Sequence, residues 1–180
     1  RPSGWCDATG ETVAVGTATD PYQPIEGHYR ITRRCLEVLC DHETPFSVVT
    51  KGPMVVRDID VLVRASARAG CRVYMSVATV DRDSWLRLEP GTASPDQRLR
   101  ALRQLSDAGV DCGVLMMPLL PGITTSRDQI RQTIQAIADA GVRLVGVDVA
   151  RLDEGVKAHF MAFLGREYPD LMAGYQRLYA

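Results

Sequence analysis

The chain has 180 residues, 46% apolar and 24% charged, with a net charge of −1 at neutral pH. That length supports one sizeable domain burying roughly 70% of its unfolded surface. The balanced charge excludes an overall electrostatic footprint for nucleic acid or an anionic membrane, and no apolar run approaches the roughly 20 residues that a spanning helix needs.

Arg1 to Glu11 is polar and closes on Thr9-Gly10-Glu11, a turn signal. Thr12 to Val15 then reads as a strand, ended by Gly16 and followed by a polar, proline-punctuated loop with Thr17, Thr19, Asp20, Tyr22, Gln23 and Glu26. The pattern predicts a helix over about Gly27 to Asp41 and a second strand, Phe46 to Thr50, running into Lys51-Gly52-Pro53. A helix over about Val56 to Ala69 and a strand from Arg72 to Ala78 follow. A short helix, Asp81 to Glu89, leads into the loop Pro90 to Pro95.

Ser94 is a good N-cap, with Pro95 in the first turn and Gln97 at capping-box spacing. That helix runs to Ala108-Gly109, before a strand from Asp111 to Met117 and the turn Pro118 to Gly122. Thr125 or Ser126 caps a further helix ending at Ala140-Gly141. The fifth strand is Leu144 to Val149, and helices over about Asp153 to Arg166 and Asp170 to Leu178 complete the order. Strand and helix alternate with the period of βα units, so the expected fold is α/β with a parallel sheet. An open doubly wound sheet is possible, but a partial parallel (β/α) barrel of about five units fits better, because polar residues gather at the strands' C-terminal ends. The whole of 1–180 is expected to form one domain.

Those ends supply Thr17, Thr19 and Asp20; Thr50 and Lys51; Ser76 and Thr79; Met117, Pro118, Pro121 and Gly122; and Asp148 and Arg151. Lys51 is either a solvated loop lysine, a desolvated Schiff-base nucleophile, or a cation for a carboxylate or phosphate. Ser76 is a core hydroxyl or a ligand contact. Glu89 and Arg98 flank one loop and are read as a surface ion pair worth under about 1 kcal/mol. The histidines His28, His42 and His159 are read as surface or capping residues, and Trp5 and Trp85 as packing residues. The five cysteines, Cys6, Cys35, Cys40, Cys71 and Cys112, have no metal-site spacing. Cys71 and Cys112 are expected to be buried, and the usage suits a reducing cytoplasm.

Four blocks carry a resemblance: GTATDPYQPIEGHYRITRRCLEVL, VVTKGPMVVRDIDVL, MSVATVDRDSWLRLEPGTASPDQRLRAL and GVLMMPLLPGIT. In that order they resemble the radical S-adenosylmethionine proteins, in the branch of spore photoproduct lyase. The resemblance implies a partial barrel and two cofactors, S-adenosylmethionine and a 4Fe–4S cluster. It also implies cleavage of the former to a 5′-deoxyadenosyl radical that abstracts hydrogen. A reductant such as flavodoxin or ferredoxin would serve the parent enzyme, in the cytoplasm, without a membrane; a nucleic-acid partner is left open. Carried over, Thr17, Thr19 and Asp20 lie where the methionine amino group is met. Lys51 and Arg98 would hold its carboxylate, Ser76 the ribose, and Pro118, Pro121 and Gly122 would lie along the adenine. The family's CxxxCxxC loop is absent, so a metal site is not expected within this chain. Together with Arg1 in first place, this predicts a fragment lacking the first βα unit. A lysine-dependent aldolase barrel and a non-catalytic barrel remnant are the alternatives.

Overall fold

The structure is a computed structural model, and it describes residues 12–180. The polar lead with its turn at Thr9 to Glu11, and with Trp5 and Cys6, lies outside the described residues. The elements in order are β1 (Val13–Val15), α1 (Glu26–Tyr29), α2 (Ile31–Asp41), β2 (Phe46–Thr50), a 3-10 helix (Pro53–Asp58), α3 (Ile59–Arg68) and β3 (Cys71–Ser76). They continue with α4 (Arg82–Leu88), α5 (Pro95–Asp107), β4 (Asp111–Leu119), α6 (Arg127–Asp139), β5 (Arg143–Val149), α7 (Glu154–Glu167), a 3-10 turn (Pro169–Leu171) and α8 (Met172–Leu178).

The five strands form one parallel sheet in the order β1-β2-β3-β4-β5. Right-handed crossovers between strands added always on the same side keep the connecting helices on one face of the sheet. The order has no reversal point, so this is the partial barrel rather than a doubly wound sheet.

Period-two alternation sorts each strand. Phe46 and Val48 of β2, Val73 and Met75 of β3, and Val114 and Met116 of β4 are buried. All but Met116 pack in the main apolar cluster with Leu36, Leu62, Leu102 and Ile137 from the helices. The alternate positions Ser47, Val49, Tyr74, Ser76 and Leu115 are half-buried on the concave face. At the bottom of that face Asp111 takes Arg72 at 3.1 Å and also pairs with Arg143, which ties the starts of β3, β4 and β5. A second apolar cluster sits at the other end, where Leu120, Ile123 and Ala150 meet Leu164 and Tyr175 of α7 and α8.

The tightest approaches are at Gly16 and Gly113. A Cβ on Gly16 would lie 2.1 Å from the Val49 carbonyl oxygen, and its φ is +98°. A Cβ on Gly113 would lie 2.4 Å from Val145 Cγ2, at the irregular pairing of β4 with β5.

Two expected helices differ. The helix over Gly27 to Asp41 is broken at Arg30, whose φ is 52°. The Glu26 carboxylate accepts the N–H groups of Thr32 and Arg33 at 3.1 and 3.3 Å, and so satisfies the first turn of α2 from outside it. Thr32 Oγ1 also donates to the Pro21 carbonyl at 2.6 Å, which fixes the turn. The helix expected from Val56 begins instead as a 3-10 helix with Pro53 at its start, and becomes α-helical at Ile59. The reason is Asp58, fully buried, which accepts from Tyr22 Oη at 3.0 Å and from Arg57 through both Nε and Nη2 at 2.9 Å. Cys71 and Cys112 are buried, as expected, and Ser126 is the cap of α6.

Gly16→Ala combines a disallowed φ with a backbone clash. Its expected cost is on the order of 3 kcal/mol, read as a lowered urea midpoint with an unchanged slope. An unaltered midpoint would show that β1 and β2 do not approach as described.

Candidate functional site

The sheet presents its C-terminal edge to a cleft of about 820 Å³. Lys51 follows β2, Ala78 and Thr79 follow β3, Pro118 and Leu120 end β4, and Ala150 and Arg151 follow β5; α4 and α7 complete the lining.

Lys51 is placed by Asp20. One oxygen of the Asp20 carboxylate accepts Thr50 Oγ1 at 2.6 Å and the Tyr22 N–H at 2.8 Å; the other accepts the Lys51 N–H at 2.7 Å. Three donors on one carboxylate leave a single acceptor direction for a ligand. The Lys51 ammonium reaches Glu89 Oε1 at 2.5 Å, and its side chain is 36% exposed.

Glu89 is shared. Its other oxygen accepts Arg98 Nη2 at 2.6 Å. The Arg98 side chain is 1% exposed, so the expected surface pair is a buried one. Its guanidinium is spent on the carbonyls of Ala93 at 2.9 Å and Ser76 at 2.8 Å, on Thr92 Oγ1 at 2.8 Å, and on Glu89. In this geometry Arg98 positions Ser76 and Glu89. Burial raises the Glu89 carboxyl, but hydrogen bonding from Lys51 and the charges of Arg98 and Lys51 outweigh it and hold the group below the ordinary range. The Ser76 hydroxyl makes no hydrogen bond among the described residues, and it is half-buried.

Asp20, Lys51, Glu89, Arg98 and Ser76 therefore form one hydrogen-bonded chain, and Pro118 lines the same cleft as Lys51 and Glu89. Thr17 and Thr19 lie on the exposed loop beyond β1, where Thr19 Oγ1 accepts Gln23 Nε2 at 2.8 Å. Pro121 and Gly122, like Asp20, Ser76 and Arg98, are not among the residues that line the cleft; a Cβ on Gly122 would meet Leu171 at 3.0 Å, against the second apolar cluster.

Several residues were not read as functional. Trp85 lines the cleft with its Nε1–H donated to Thr92 Oγ1 at 3.1 Å. His159, Phe160, Phe163 and Arg166 of α7 line it too. The Val156, Phe160, Phe163 spacing was the available signal, a stripe at helical period that serves a core as readily as a cleft. The assembly of Tyr22, Glu26 and Asp58, which are buried, with the half-buried Arg33 and Arg57 gave little local signal, since its links from Tyr22 to Asp58, Glu26 to Arg57 and Arg33 to Asp58 span 25 to 36 residues.

The donor set does not suit an iron–sulfur cluster. Among the described residues no group of three or more His, Cys, Asp or Glu is placed to hold a metal ion. Ligation needs thiolates, whereas burial pushes the Cys71 thiol up to about 12 and the Cys112 thiol up to about 11.

Asp20→Asn turns an amide NH2 toward the Lys51 N–H or the Thr50 hydroxyl, so one contact is lost. The expected loss of stability is about 1–3 kcal/mol, measured by denaturant unfolding; a neutral result would deny Asp20 its clamping role. Glu89 has a lowered folded pKa, so its contribution is complete above its ordinary value near 4.5 and fades as pH falls through the folded value. Glu89→Gln should cost about 2 kcal/mol at pH 7, and the gap to the parent should shrink at pH values below that range. A gap that stays constant with pH would contradict the ionic account.

A family model described as the Radical SAM superfamily matches residues 9–134. An uncharacterized protein of Mycobacterium tuberculosis is 36% identical over 169 residues, which are 94% of this chain and 50% of that protein. The radical SAM Nα-GlyT isomerase of Pseudomonas phage M6 is 27% identical over 123 residues, covering 68% of this chain and 25% of its own length. Among solved structures, spore photoproduct lyase with bound AdoMet and dinucleoside spore photoproduct superposes with a TM-score of 0.66 at 22% identity, over 89% of this chain and 46% of that one. That likeness shows a shared fold. The chain thus spans about half the length of the mycobacterial relatives it matches. With the family model matched over most of its residues on this partial barrel, the chain belongs to the Radical SAM superfamily.

Proposed function

We propose that this chain is the S-adenosylmethionine-binding body of a radical enzyme of the spore photoproduct lyase-like branch. The observation that carries it is the linked set Asp20, Lys51, Glu89, Arg98 and Ser76 at the C-terminal edge of a parallel sheet, of which Lys51 and Glu89 line the cleft. A zwitterionic amino acid joined to a nucleoside needs a cation, an acceptor, a hydroxyl and an apolar slot. Lys51 supplies the cation for the carboxylate, and Glu89 keeps that ammonium in the cleft. The remaining acceptor direction of Asp20, with the exposed Thr17 and Thr19, suits the amino group. The Ser76 hydroxyl suits a ribose, and Pro118 offers the apolar surface.

When bound and reduced, this cofactor supplies a 5′-deoxyadenosyl radical for hydrogen abstraction. The cluster that reduces it has no ligand set among the described residues. We place its ligands elsewhere in the full protein, and a flavodoxin- or ferredoxin-like donor and a cytoplasmic setting belong to the same reading. Among the described residues no helix is long and apolar enough to cross a membrane. A Schiff-base role for Lys51 is less well supported, because its side chain is partly exposed and salt-bridged to Glu89, whereas that chemistry uses a desolvated amine.

Equilibrium dialysis with S-adenosylmethionine tests the reading. Lys51→Ala should weaken binding roughly ten- to hundredfold, the worth of a charge-assisted hydrogen bond, with an unchanged circular dichroism spectrum. Absent binding by the parent chain, or equal binding by the variant, would overturn it.

A further inference from the structure

The cleft extends beyond the residues that the cofactor reading uses. A separate wall comes from α4 and α7, and Trp85, Arg87, Phe160, Phe163 and Arg166 have no part in that reading. At about 820 Å³ the cleft is toward the upper end of small-molecule pockets.

Three features define what this wall fits. Its flat surfaces are oriented. The Trp85 indole is tied to Thr92, which is itself held by Arg98. Phe160 and Phe163 share a face of α7 with ring centroids 6.0 Å apart. A cation is stacked among them: the Arg166 guanidinium carbon lies 5.8 Å from the centre of the Phe163 ring. The charge is one-sided. Lys51, Arg87, Arg151 and Arg166 line the cleft against one carboxylate, Glu89, already bound by Lys51 and Arg98. Arg151 and Arg166 do pair with Asp148 and Glu167 at 2.8 Å, but neither carboxylate lines the cleft. Arg87 has no ion pair among the described residues.

We propose that the α4–α7 wall binds a planar organic anion, a flat ring system bearing a carboxylate or phosphate, as the second molecule of the cleft. Trp85, Phe160 and Phe163 take the ring by stacking, and Arg87 and Arg166 take the charged group with planar forks of donors. The cations are exposed at the rim of one cleft, with the aromatic rings beside them, and the whole chain carries a net charge of −1. A small anion therefore fits better than a polynucleotide. The proposal rests on the cofactor reading only in making this ligand the neighbour of S-adenosylmethionine.

Calorimetric titration of the full chain with naphthalene-2-carboxylate, 2-naphthyl phosphate and neutral 2-naphthamide, in saturating S-adenosylmethionine, tests it. Either anion should bind at least tenfold tighter than the amide, and the tighter of the two identifies the headgroup. The double variant Arg87→Gln, Arg166→Gln should bring the preference within about threefold and leave cofactor affinity unchanged. Lys51→Ala should do the reverse, weakening the cofactor and keeping the anion preference. If the cofactor does not bind at all, the same titrations without it still decide the arginine wall, so the two readings fail separately. Equal binding of amide and anions, a preference that survives the double variant, or displacement of the probes by a thymidine oligonucleotide at lower concentration than by thymidine monophosphate would overturn the proposal.

Discussion

Asp20 joins the ends of two strands. Its carboxylate lies between the loop after β1 and the end of β2, and its three hydrogen bonds hold both segments to one geometry. Gly16 makes this possible, because only a residue without a Cβ lets the β1 end approach the Val49 carbonyl so closely. The direction of Lys51 follows from the fixed backbone N–H beside Asp20. A loop rich in functional groups thus spends much of its polarity on its own shape. Asp20 clamps, Tyr22 reaches Asp58, and Glu26 caps α2. What is left toward solvent includes the short runs 17–19 and 23–25.

The second constraint is the burial of Arg98. A cation so enclosed must be compensated, and each nitrogen of its guanidinium finds an oxygen. Glu89 is drawn to it, and because Glu89 has a second oxygen it also draws Lys51. The charge at the cleft is therefore set from behind the site, by a residue that does not line it. The same arginine orders Thr92, and through Thr92 the Trp85 ring, so both walls of the cleft share one buried anchor.

Family membership sits beside a limit in what these residues hold. The fold and the matched family model agree, yet the described cysteines are dispersed and several are buried as small apolar side chains. The mycobacterial relatives are about twice as long as the matched stretch, which is 50% of their length.

Much of the fold was legible because its signals are local. The capping box at Ser94 with Gln97 lies within three residues and forms as read, and of the two caps read for α6, Thr125 or Ser126, it is Ser126 that caps. The Ala-Gly helix stops place Gly70, Gly109 and Gly141 at positive φ. The apolar alternation put the strands and their C-terminal ends in place, and hence Lys51, Ser76 and Pro118 near one rim. The break at Arg30, the 3-10 start before Ile59, the burial of Arg98 and the aromatic wall of α7 were not legible. The 3-10 start and the burial of Arg98 depend on partners distant in sequence, Tyr22 against Asp58 and Arg98 against Ser76, while the break at Arg30 depends on a side chain, Glu26, reaching past the turn to Thr32 and Arg33. By itself the sequence determined the order of elements and the chemical types at the strand ends, since backbone propensity and period act over a few residues. Only the tertiary structure decided which of those groups are consumed in holding the loops and which face the cleft, because a charged side chain takes its role from the partner that long-range packing brings to it.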